Sequence, residues 1–255
     1  MNSDPTDPMS PTIDSRRALS FGARAELYDR VRPSYPPQVL PLLLAGLNGY
    51  RAADVGAGTG KLTAVLAAAG WDVDAVEPDP DMRAILAARL PGIRVHAGRG
   101  EALPLPDSSV NAVLYGQAWH WVDHVAAAHE AARVLRPGGV LAMLWNHDDE
   151  ATGWIGELGR LVGSPRSRDL AGPPALDRFG PAQARALSWS RELDVAALPD
   201  FALSHSAVAV LPPAQREAVL VAVRRLTTEH PDLRGRDRVT VPMHLECWLY
   251  RRGGG

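Results

Sequence analysis

Cysteine and lysine are nearly absent from this 255-residue sequence, which contains one of each, Cys247 and Lys61. A single cysteine excludes an intramolecular disulfide and a metal site built from cysteines. No run of about 18 apolar residues is free of charges, which excludes a transmembrane helix. Neither sign of charge dominates, because 27 basic residues stand against 29 acidic ones. The composition therefore gives no electrostatic reason to expect nucleic acid or a membrane as a partner.

Residues 1–17 are polar and rich in proline, and they contain no apolar stretch like that of a secretory signal. We therefore expect a disordered tail in this segment. We also expect a cytoplasmic protein.

Short apolar runs alternate with helical stretches from about residue 50 to residue 146. This alternation is typical of βαβ units around a parallel sheet. The predicted strands are 52–55, 73–76, 93–97, 110–115 and 140–145, and the predicted helices are 61–69, 80–90 and 122–135. Beyond residue 150 the pattern changes to short helices separated by proline and glycine, with 214–229 the clearest. A last strand is predicted at 239–250, with 207–210 as its partner.

These patterns predict an α/β fold, with a doubly wound, mostly parallel sheet and a helical insertion before the last strands. Residues 18–150 would form an N-terminal helical cover and the ligand-binding core. Residues 151–235 would form a helical insertion that caps the ligand site, and residues 236–255 would return to the core sheet as its last strand.

The loop at residues 54–60, DVGAGTG, lies between the first predicted strand and the first predicted helix. Its glycines permit a sharp turn and let a ligand approach the backbone closely. In an open parallel sheet this turn lies at the carboxyl edge, where ligands bind. Glu77 ends the second predicted strand, where a carboxylate can accept hydrogen bonds from both hydroxyls of a ribose. Together, the loop and the carboxylate predict a nucleoside site.

The spacing of the glycines separates two classes of nucleoside cofactor. A dinucleotide fingerprint requires a third glycine at position 61, where this chain has Lys61. The pattern G-x-G-x-G after Asp54 instead resembles the first motif of class I S-adenosylmethionine-dependent methyltransferases. The segments at 98–107 (GRGEALPLPD) and 135–139 (LRPGG) extend the resemblance. It implies a Rossmann-like fold and S-adenosylmethionine as the cofactor.

Three further segments narrow the resemblance to methyltransferases related to trans-aconitate methyltransferases. They are Phe21-Gly22, YDRVRPSYP at 28–36 and QAWHWVD at 117–123. This resemblance implies that Tyr28 and Arg32 close over the cofactor, with Arg32 near its carboxylate, a pairing that can be planar and bidentate.

The family resemblance also implies which residues bind the cofactor. Asp54 is expected to contact the loop or the cofactor's amino group. Arg99 replaces an aspartate that often binds the adenine amino group, and arginine cannot accept that hydrogen bond. Adenine contacts are therefore expected near Gly100 and Glu101. The expected cofactor-binding residues are Tyr28, Arg32, Asp54, Gly56, Ala57, Gly58, Gly60, Glu77, Pro78, Gly100, Glu101 and Gln117.

Methyl transfer from a sulfonium requires mainly that two partners be aligned, and a base is needed only if the acceptor arrives protonated. His120 is the candidate general base, with a packing role as the alternative. The residues expected in the acceptor pocket, with a plain core role as the alternative, are Trp119, Trp121 and Trp145.

Two further groups of polar residues lie just before the predicted cap and within it. His147, Asp148 and Asp149 are too few ligands for a metal, so a solvated loop and no metal are expected. The arginines that could position an acidic acceptor, or simply cover the cap surface, are Arg166, Arg168 and Arg178.

The leading hypothesis is a methyltransferase for a small molecule, with a carboxylate among the candidate acceptors. One alternative is a non-catalytic module that binds the cofactor, suggested by the departures from the family pattern at Arg99 and Asn111. The other alternative is an NAD-dependent oxidoreductase, against which the residue at position 61 argues.

Overall fold

The computed structural model of the protein describes residues 25–163 and 175–253. The predicted tail at 1–17, the Phe21-Gly22 pair, Arg166 and Arg168 lie outside the described residues. The described strands form one seven-stranded sheet in the order β3-β2-β1-β4-β5-β7-β6. The strands are β1 (Arg51–Val55), β2 (Asp72–Glu77), β3 (Arg94–Ala97), β4 (Val110–Gly116), β5 (Leu135–Asp148), β6 (Gln183–Asp194) and β7 (Arg238–Arg251).

Strands β1 to β5 run parallel, and the chain reverses its direction of winding between β1 and β4. Nearly every residue of β1, β2 and β4 is buried. The sequences of strands that are buried on both faces are continuous runs of apolar residues, without the alternation of apolar and polar residues seen in half-exposed strands. This is why the sequence pattern located these strands to within one or two residues. β5 begins earlier than predicted, because residues 135–139 belong to it, and its register against β4 shifts there.

The helices lie on both faces of the sheet and in the cap. They are α1 (Ala25–Val31), α2 (Val39–Leu44), α3 (Lys61–Ala68), α4 (Pro80–Arg89), α5 (His124–Val134), α6 (Gly153–Val162), α7 (Leu198–Leu203), α8 (Ser206–Ala209) and α9 (Pro213–Glu229). Carboxylates begin two of them. Asp79 accepts the backbone N–H groups of the first turn of α4, and Asp123 does the same for α5. These caps satisfy N–H groups that have no partner within the helix.

The cap differs from the predicted helical insertion, because it contributes the edge strand β6 at residues for which no strand was predicted. β7 lies between β5 and β6 and is antiparallel to both. The prediction that residues 207–210 pair with the last strand was wrong, since Ser206–Ala209 is the helix α8. Most side chains of β6 are small or charged and are exposed on one face. The apolar alternation that indicates a strand is therefore weak in this segment.

The cap is built around one apolar cluster, to which the N-terminal helix and the sheet also contribute side chains. Trp154, Phe201 and Val223 pack together with Val31 of α1 and Met243 of β7. Helix α1 therefore lies between the cap and the core domain. No helix among the described residues is long and apolar enough to cross a membrane.

Asn111, one of the departures from the family pattern, has a structural role at the edge of the sheet opposite the strands' carboxyl ends. Its side-chain oxygen accepts the backbone N–H of Arg51 at 3.3 Å, and its amide donates to the carbonyl of Asn48 at 2.9 Å. Asn111 fixes the loop that precedes β1, so its identity gives no reason to expect a lost catalytic site.

Candidate active site

A cavity of about 1310 Å³ opens at the carboxyl ends of β1, β2, β4 and β5, beside the point where the strand order reverses. It extends from the loop after β1 to the helix α6 of the cap. Ligands of open α/β sheets bind at this position. The volume exceeds the range of about 300–1,000 Å³ typical of a pocket for one small ligand, so two ligands can fit.

Most of the sequence-predicted residues line this cavity. They are Tyr28, Arg32, Asp54, Gly56, Ala57, Gly58, Glu77, Pro78, Gly100, Glu101, Gln117, His120, Trp121 and Trp145. Gly60 does not line it. A Cβ at Gly60 would lie 2.9 Å from Leu86, so this glycine allows the loop to pack closely against α4.

The glycine loop folds back under the cavity. Gly56 and Gly58 have φ angles of 68° and 57°, in the region that favours glycine. A Cβ at Gly56 would lie 2.6 Å from that of Ala118, whereas a Cβ at Gly58 would meet nothing within 4 Å. Gly56 is therefore needed for the close packing of the loop against Ala118, whereas the space next to Gly58 is open.

Glu77 is buried against the same loop. Its two carboxyl oxygens accept the backbone N–H groups of Gly58, at 2.8 Å, and Asp79, at 2.9 Å. Each oxygen keeps a further lone pair, so the carboxylate can also accept hydrogen bonds from a ligand. Burial raises the pKa of Glu77, and the two backbone donors oppose that rise.

Asp54 lies at the end of β1 and is 1% exposed. The hydroxyl of Thr63 donates to its carboxyl group at 2.6 Å. Burial raises the pKa of Asp54 to about 7, although the hydrogen bond from Thr63 opposes the rise. Asp54 can therefore change its protonation state near neutral pH.

Helix α1 covers the cavity and is tied to the core by Lys61, a residue whose role the sequence did not indicate. The Lys61 ammonium donates to the backbone carbonyl of Asp29 at 2.7 Å. The carboxylate of Asp29 also forms ion pairs with Lys61 and with Arg89 of α4. Arg30 pairs with Asp200 of the cap at 2.7 Å. One short helix thus joins the glycine loop to the cap.

Asn146, which sequence reasoning also missed, organises the ends of β4 and β5. Its carbonyl accepts the side-chain amide of Gln117 at 2.6 Å, and its side chain donates to the carbonyl of Ser34 and accepts from Trp189, both at 3.0 Å. Gln117 has a φ of 56°, a conformation that is uncommon outside glycine and frequent at functional sites. Asn146 therefore fixes a strained cavity residue to the N-terminal segment and to the cap.

Trp119 lies outside the cavity, contrary to the expectation for the acceptor pocket. It is 3% exposed, meets Tyr115 edge-on at 4.9 Å and stacks on His124 at 5.1 Å. The short 3₁₀ turn at Trp119–Trp121 directs its first tryptophan into the core and leaves Trp121 at the cavity. Arg178 also lies away from the cavity, and it is exposed.

The segment after Trp145 differs from the expected solvated loop. His147 and Asp148 are the last residues of β5 and are partly buried, and both line the cavity. Burial lowers the pKa of His147 and raises that of Asp148. Among the described residues, no group of three or more His, Cys, Asp or Glu side chains could hold a metal ion.

Comparison with known proteins assigns this arrangement to a family. The profile of the methyltransferase domain matches residues 53–143, which include the glycine loop, Glu77 and the Gln117 segment. An uncharacterised methyltransferase of Mycobacterium tuberculosis is 43% identical over 241 residues, covering 91% of this chain and 96% of that protein. The chain therefore belongs to the class I methyltransferases, and S-adenosylmethionine is its cofactor.

Two other proteins show how far the similarity extends. The malonyl-[acyl-carrier protein] O-methyltransferase of Methylococcus capsulatus is 36% identical over 157 residues, which are 56% of this chain and 57% of that enzyme. A candidate type II methyltransferase of Anaeromyxobacter dehalogenans matches the fold with a TM-score of 0.65 at 23% identity, covering 88% of this chain and 99% of that one. Family membership confirms the predicted fold class and cofactor. It also removes the reason for the NAD-dependent alternative.

Proposed function

We propose that the protein transfers the methyl group of S-adenosylmethionine to a carboxylate oxygen of a small-molecule acceptor. The observation that carries the proposal is the cavity, which is continuous from the glycine loop to α6 and has room for two ligands. Similarity to an enzyme named malonyl-[acyl-carrier protein] O-methyltransferase supports an oxygen acceptor. The segments at 28–36 and 117–123 further support a place beside the trans-aconitate methyltransferases.

The residues at the carboxyl edge of the sheet fit the cofactor. The open space above Gly58 can receive the ligand, and Glu77 next to it retains lone pairs for the two ribose hydroxyls. The buried Nε of Arg32 has no hydrogen-bond partner among the described residues, which suits it to the methionine carboxylate. Asp54 would take the amino group.

The remaining cofactor contacts follow from the lining of the cavity. Pro78, Gly100 and Glu101 would surround the adenine, and Gln117 would contact the cofactor at the end of β4. Glu101 is held in place because its carboxylate accepts the backbone N–H of Asp123 at 2.9 Å.

The acceptor side of the cavity provides one cation and an apolar wall. The side chain of Arg160 of α6 lines the cavity and makes no hydrogen bond or ion pair with any residue in the described part of the chain. An arginine can bind an acceptor carboxylate in a planar, bidentate manner. Ile155, Leu158 and Val162 of the same helix also line the cavity and can cover the apolar part of a small organic acid.

The sulfonium cofactor supplies an activated methyl group, and the residues around it align the two partners. An oxygen lone pair of the acceptor carboxylate forms the new O–CH₃ bond while the C–S bond breaks and its electron pair returns to sulfur. A carboxylate is ionised at neutral pH and transfers no proton in this step. The side chains of Trp121 and Trp145 border the cavity and restrict the space in which the acceptor can lie.

A labelling experiment tests this proposal. The protein is incubated with methyl-tritiated S-adenosylmethionine and a panel of small carboxylic acids, and the products are treated with base. Methyl esters release volatile tritiated methanol, whereas ethers and N-methyl products do not. The Arg160→Gln variant is assayed in parallel. We expect it to retain cofactor binding but to raise the KM of the carboxylate acceptor about 10-fold or more. Base-stable products would contradict the carboxylate assignment, and no labelled product at all would favour a non-catalytic module.

We expect the His120→Ala substitution to change turnover by less than about threefold, because a carboxylate acceptor requires no general base. His120 is exposed and lines the cavity in the 3₁₀ turn at its mouth. The measurement is kcat with the acceptor found above, alongside the Kd of the cofactor. A loss of about 100-fold in kcat at an unchanged cofactor Kd would instead identify His120 as a base and the acceptor as a hydroxyl or an amine.

A further inference from the structure

Two arginines and one aspartate form a buried cluster behind the cofactor end of the cavity. The guanidinium groups of Arg32 and Arg191 lie over the ring of Phe201, at 5.3 Å and 5.0 Å from its centroid. The carboxylate of Asp148 lies 3.7 Å from the Nη2 of Arg191, and its charge also acts on Arg32. His205 lies close to both arginines, and burial holds its pKa well below the usual range, so it adds no positive charge at neutral pH.

The cluster comes from three separate parts of the chain. Arg32 follows helix α1 and donates from Nη2 to the carbonyl of Ser204, at the end of α7, at 3.0 Å. Arg191 lies on the edge strand β6 and donates from Nη1 to the carbonyl of Val31 at 3.1 Å. Asp148 ends β5. The two arginines therefore cross-link the N-terminal helix with the cap in both directions.

The hydrogen bonds and charges of this cluster are incomplete. The Nε of Arg32, the Nε and Nη2 of Arg191 and the Oδ1 of Asp148 are buried and have no hydrogen-bond partner among the described residues. Two cations share one carboxylate. Buried guanidinium donors without partners are costly, and an anion placed beside the two arginines relieves that cost. Arg32 lines the cavity, whereas Arg191 lies behind it, so a ligand anion would reach Arg32 first.

We propose that Arg191 and Asp148 are positioning residues that hold the Arg32 guanidinium toward the methionine carboxylate of the cofactor. This inference rests on the proposed role of Arg32 as the carboxylate ligand. Arg191 fixes the aromatic surface and the carboxylate against which Arg32 is oriented. The positive charge at this end of the cofactor site then comes from Arg191 of the cap strand β6 as well as from Arg32 of the N-terminal segment. Both arginines lie outside the residues that match the methyltransferase domain profile.

Lysine cannot replace arginine in this arrangement. The planar guanidinium of Arg191 can lie over Phe201 while it donates to Val31 and faces Asp148, which a single ammonium group cannot do with the same geometry. An Arg191→Lys variant would keep the charge and lose the shape. We therefore expect the preference of this variant for a carboxylated ligand to lie between that of the native protein and that of a neutral variant.

The test compares two ligands that differ only in the carboxylate, S-adenosylmethionine and decarboxylated S-adenosylmethionine. Their Kd values are measured by calorimetry for the native protein and for Arg191→Met, which retains bulk over Phe201 but no charge. We expect the native protein to prefer the carboxylated ligand by about 10- to 100-fold, and Arg191→Met to reduce this preference about 3- to 10-fold. Arg185→Met is the matched control, because Arg185 is an exposed residue of the same strand away from the cavity; it should leave the preference unchanged.

The same comparison separates the failure of this inference from failure of the proposed function. If Arg191→Met weakens both ligands equally, or neither, Arg191 has only a structural role and the inference is overturned. Arg32→Gln is measured in parallel and should abolish most of the preference. A preference retained in Arg32→Gln would instead contradict the assignment of Arg32 itself. If Arg191→Met does not fold by circular dichroism, Arg191→Lys gives the same readout.

Discussion

Replacing Glu77 with alanine should weaken the binding of S-adenosylmethionine by about 10- to 100-fold, corresponding to about 1–3 kcal/mol for hydrogen bonds that lose their charged partner. The substitution removes the proposed acceptor of both ribose hydroxyls. It also removes the acceptor of the Gly58 N–H, which fixes the glycine loop in the native protein. Calorimetric titration measures the loss directly, with NAD titrated in parallel as a ligand that the native protein should not bind.

Asp72→Ala is the control for this substitution. Asp72 begins the same strand, is half exposed and pairs with Arg94 at the opposite edge of the sheet from the cavity. Its loss removes a carboxylate from β2 without touching the cofactor site, so the Kd should stay within about twofold, as for other exposed ion pairs. An unchanged Kd in Glu77→Ala would overturn the ribose assignment.

The Asp54→Asn substitution should stabilise the ligand-free protein and weaken cofactor binding at the same time. The folded protein holds the proton of Asp54 up to a pKa of about 7, whereas the unfolded chain releases it near pH 3.9. The folded state therefore binds more protons between these values, and the native protein loses stability as pH rises through this window. Asparagine retains an oxygen for the Thr63 hydroxyl and is never ionised. We expect its stability advantage to grow by about 2–3 kcal/mol between pH 5 and pH 8.

Urea denaturation at several pH values measures this difference, and Asp107→Asn is the control. Asp107 is 77% exposed and lies away from the cavity, so its replacement should change stability by no more than about 1 kcal/mol, as for other exposed ion pairs. The affinity of the native protein for the cofactor should increase as pH rises, whereas its stability without ligand decreases. The cationic amino group of the cofactor favours the ionised form of Asp54, so native binding should tighten as pH rises through about 7. Parallel affinity curves for native and Asp54→Asn proteins would exclude this contact.

The cofactor half of the site was predictable because its chemistry is local in the sequence. The residues 54–60 form one loop between adjacent elements, and Glu77 ends the next strand, so a strand-to-helix pattern alone places them together. Glycine at 56 and 58 is required by the backbone conformation itself. Such constraints leave a signal at fixed spacing, which is why these residues predicted a nucleoside site and carried the resemblance to class I methyltransferases that implied the cofactor.

The rest of the site depends on pairing between distant parts of the chain. Arg191 reaches Val31 only because β6 is aligned along β7, with Arg191 opposite Val241. Nothing near position 191 in the sequence specifies that alignment, since the strand carries small and charged residues on its open face. The WHW segment at 119–121 shows the same limit at short range. Composition allows any of its aromatic rings to enter the cavity, and the tight turn decides that Trp119 does not.

The order of the last two strands has a consequence for synthesis of the chain. β6 leaves the ribosome some forty residues before β7, yet β7 is the strand with which it pairs along its whole length in the described structure. Contacts between segments this far apart form late and slow folding. During translation the parallel core can assemble around the glycine loop while β6, with Arg191, still awaits its partner. Pairing with β7 therefore brings β6 and Arg191 into place behind the cofactor site. A nascent chain forms its glycine loop before the complete cofactor site is assembled.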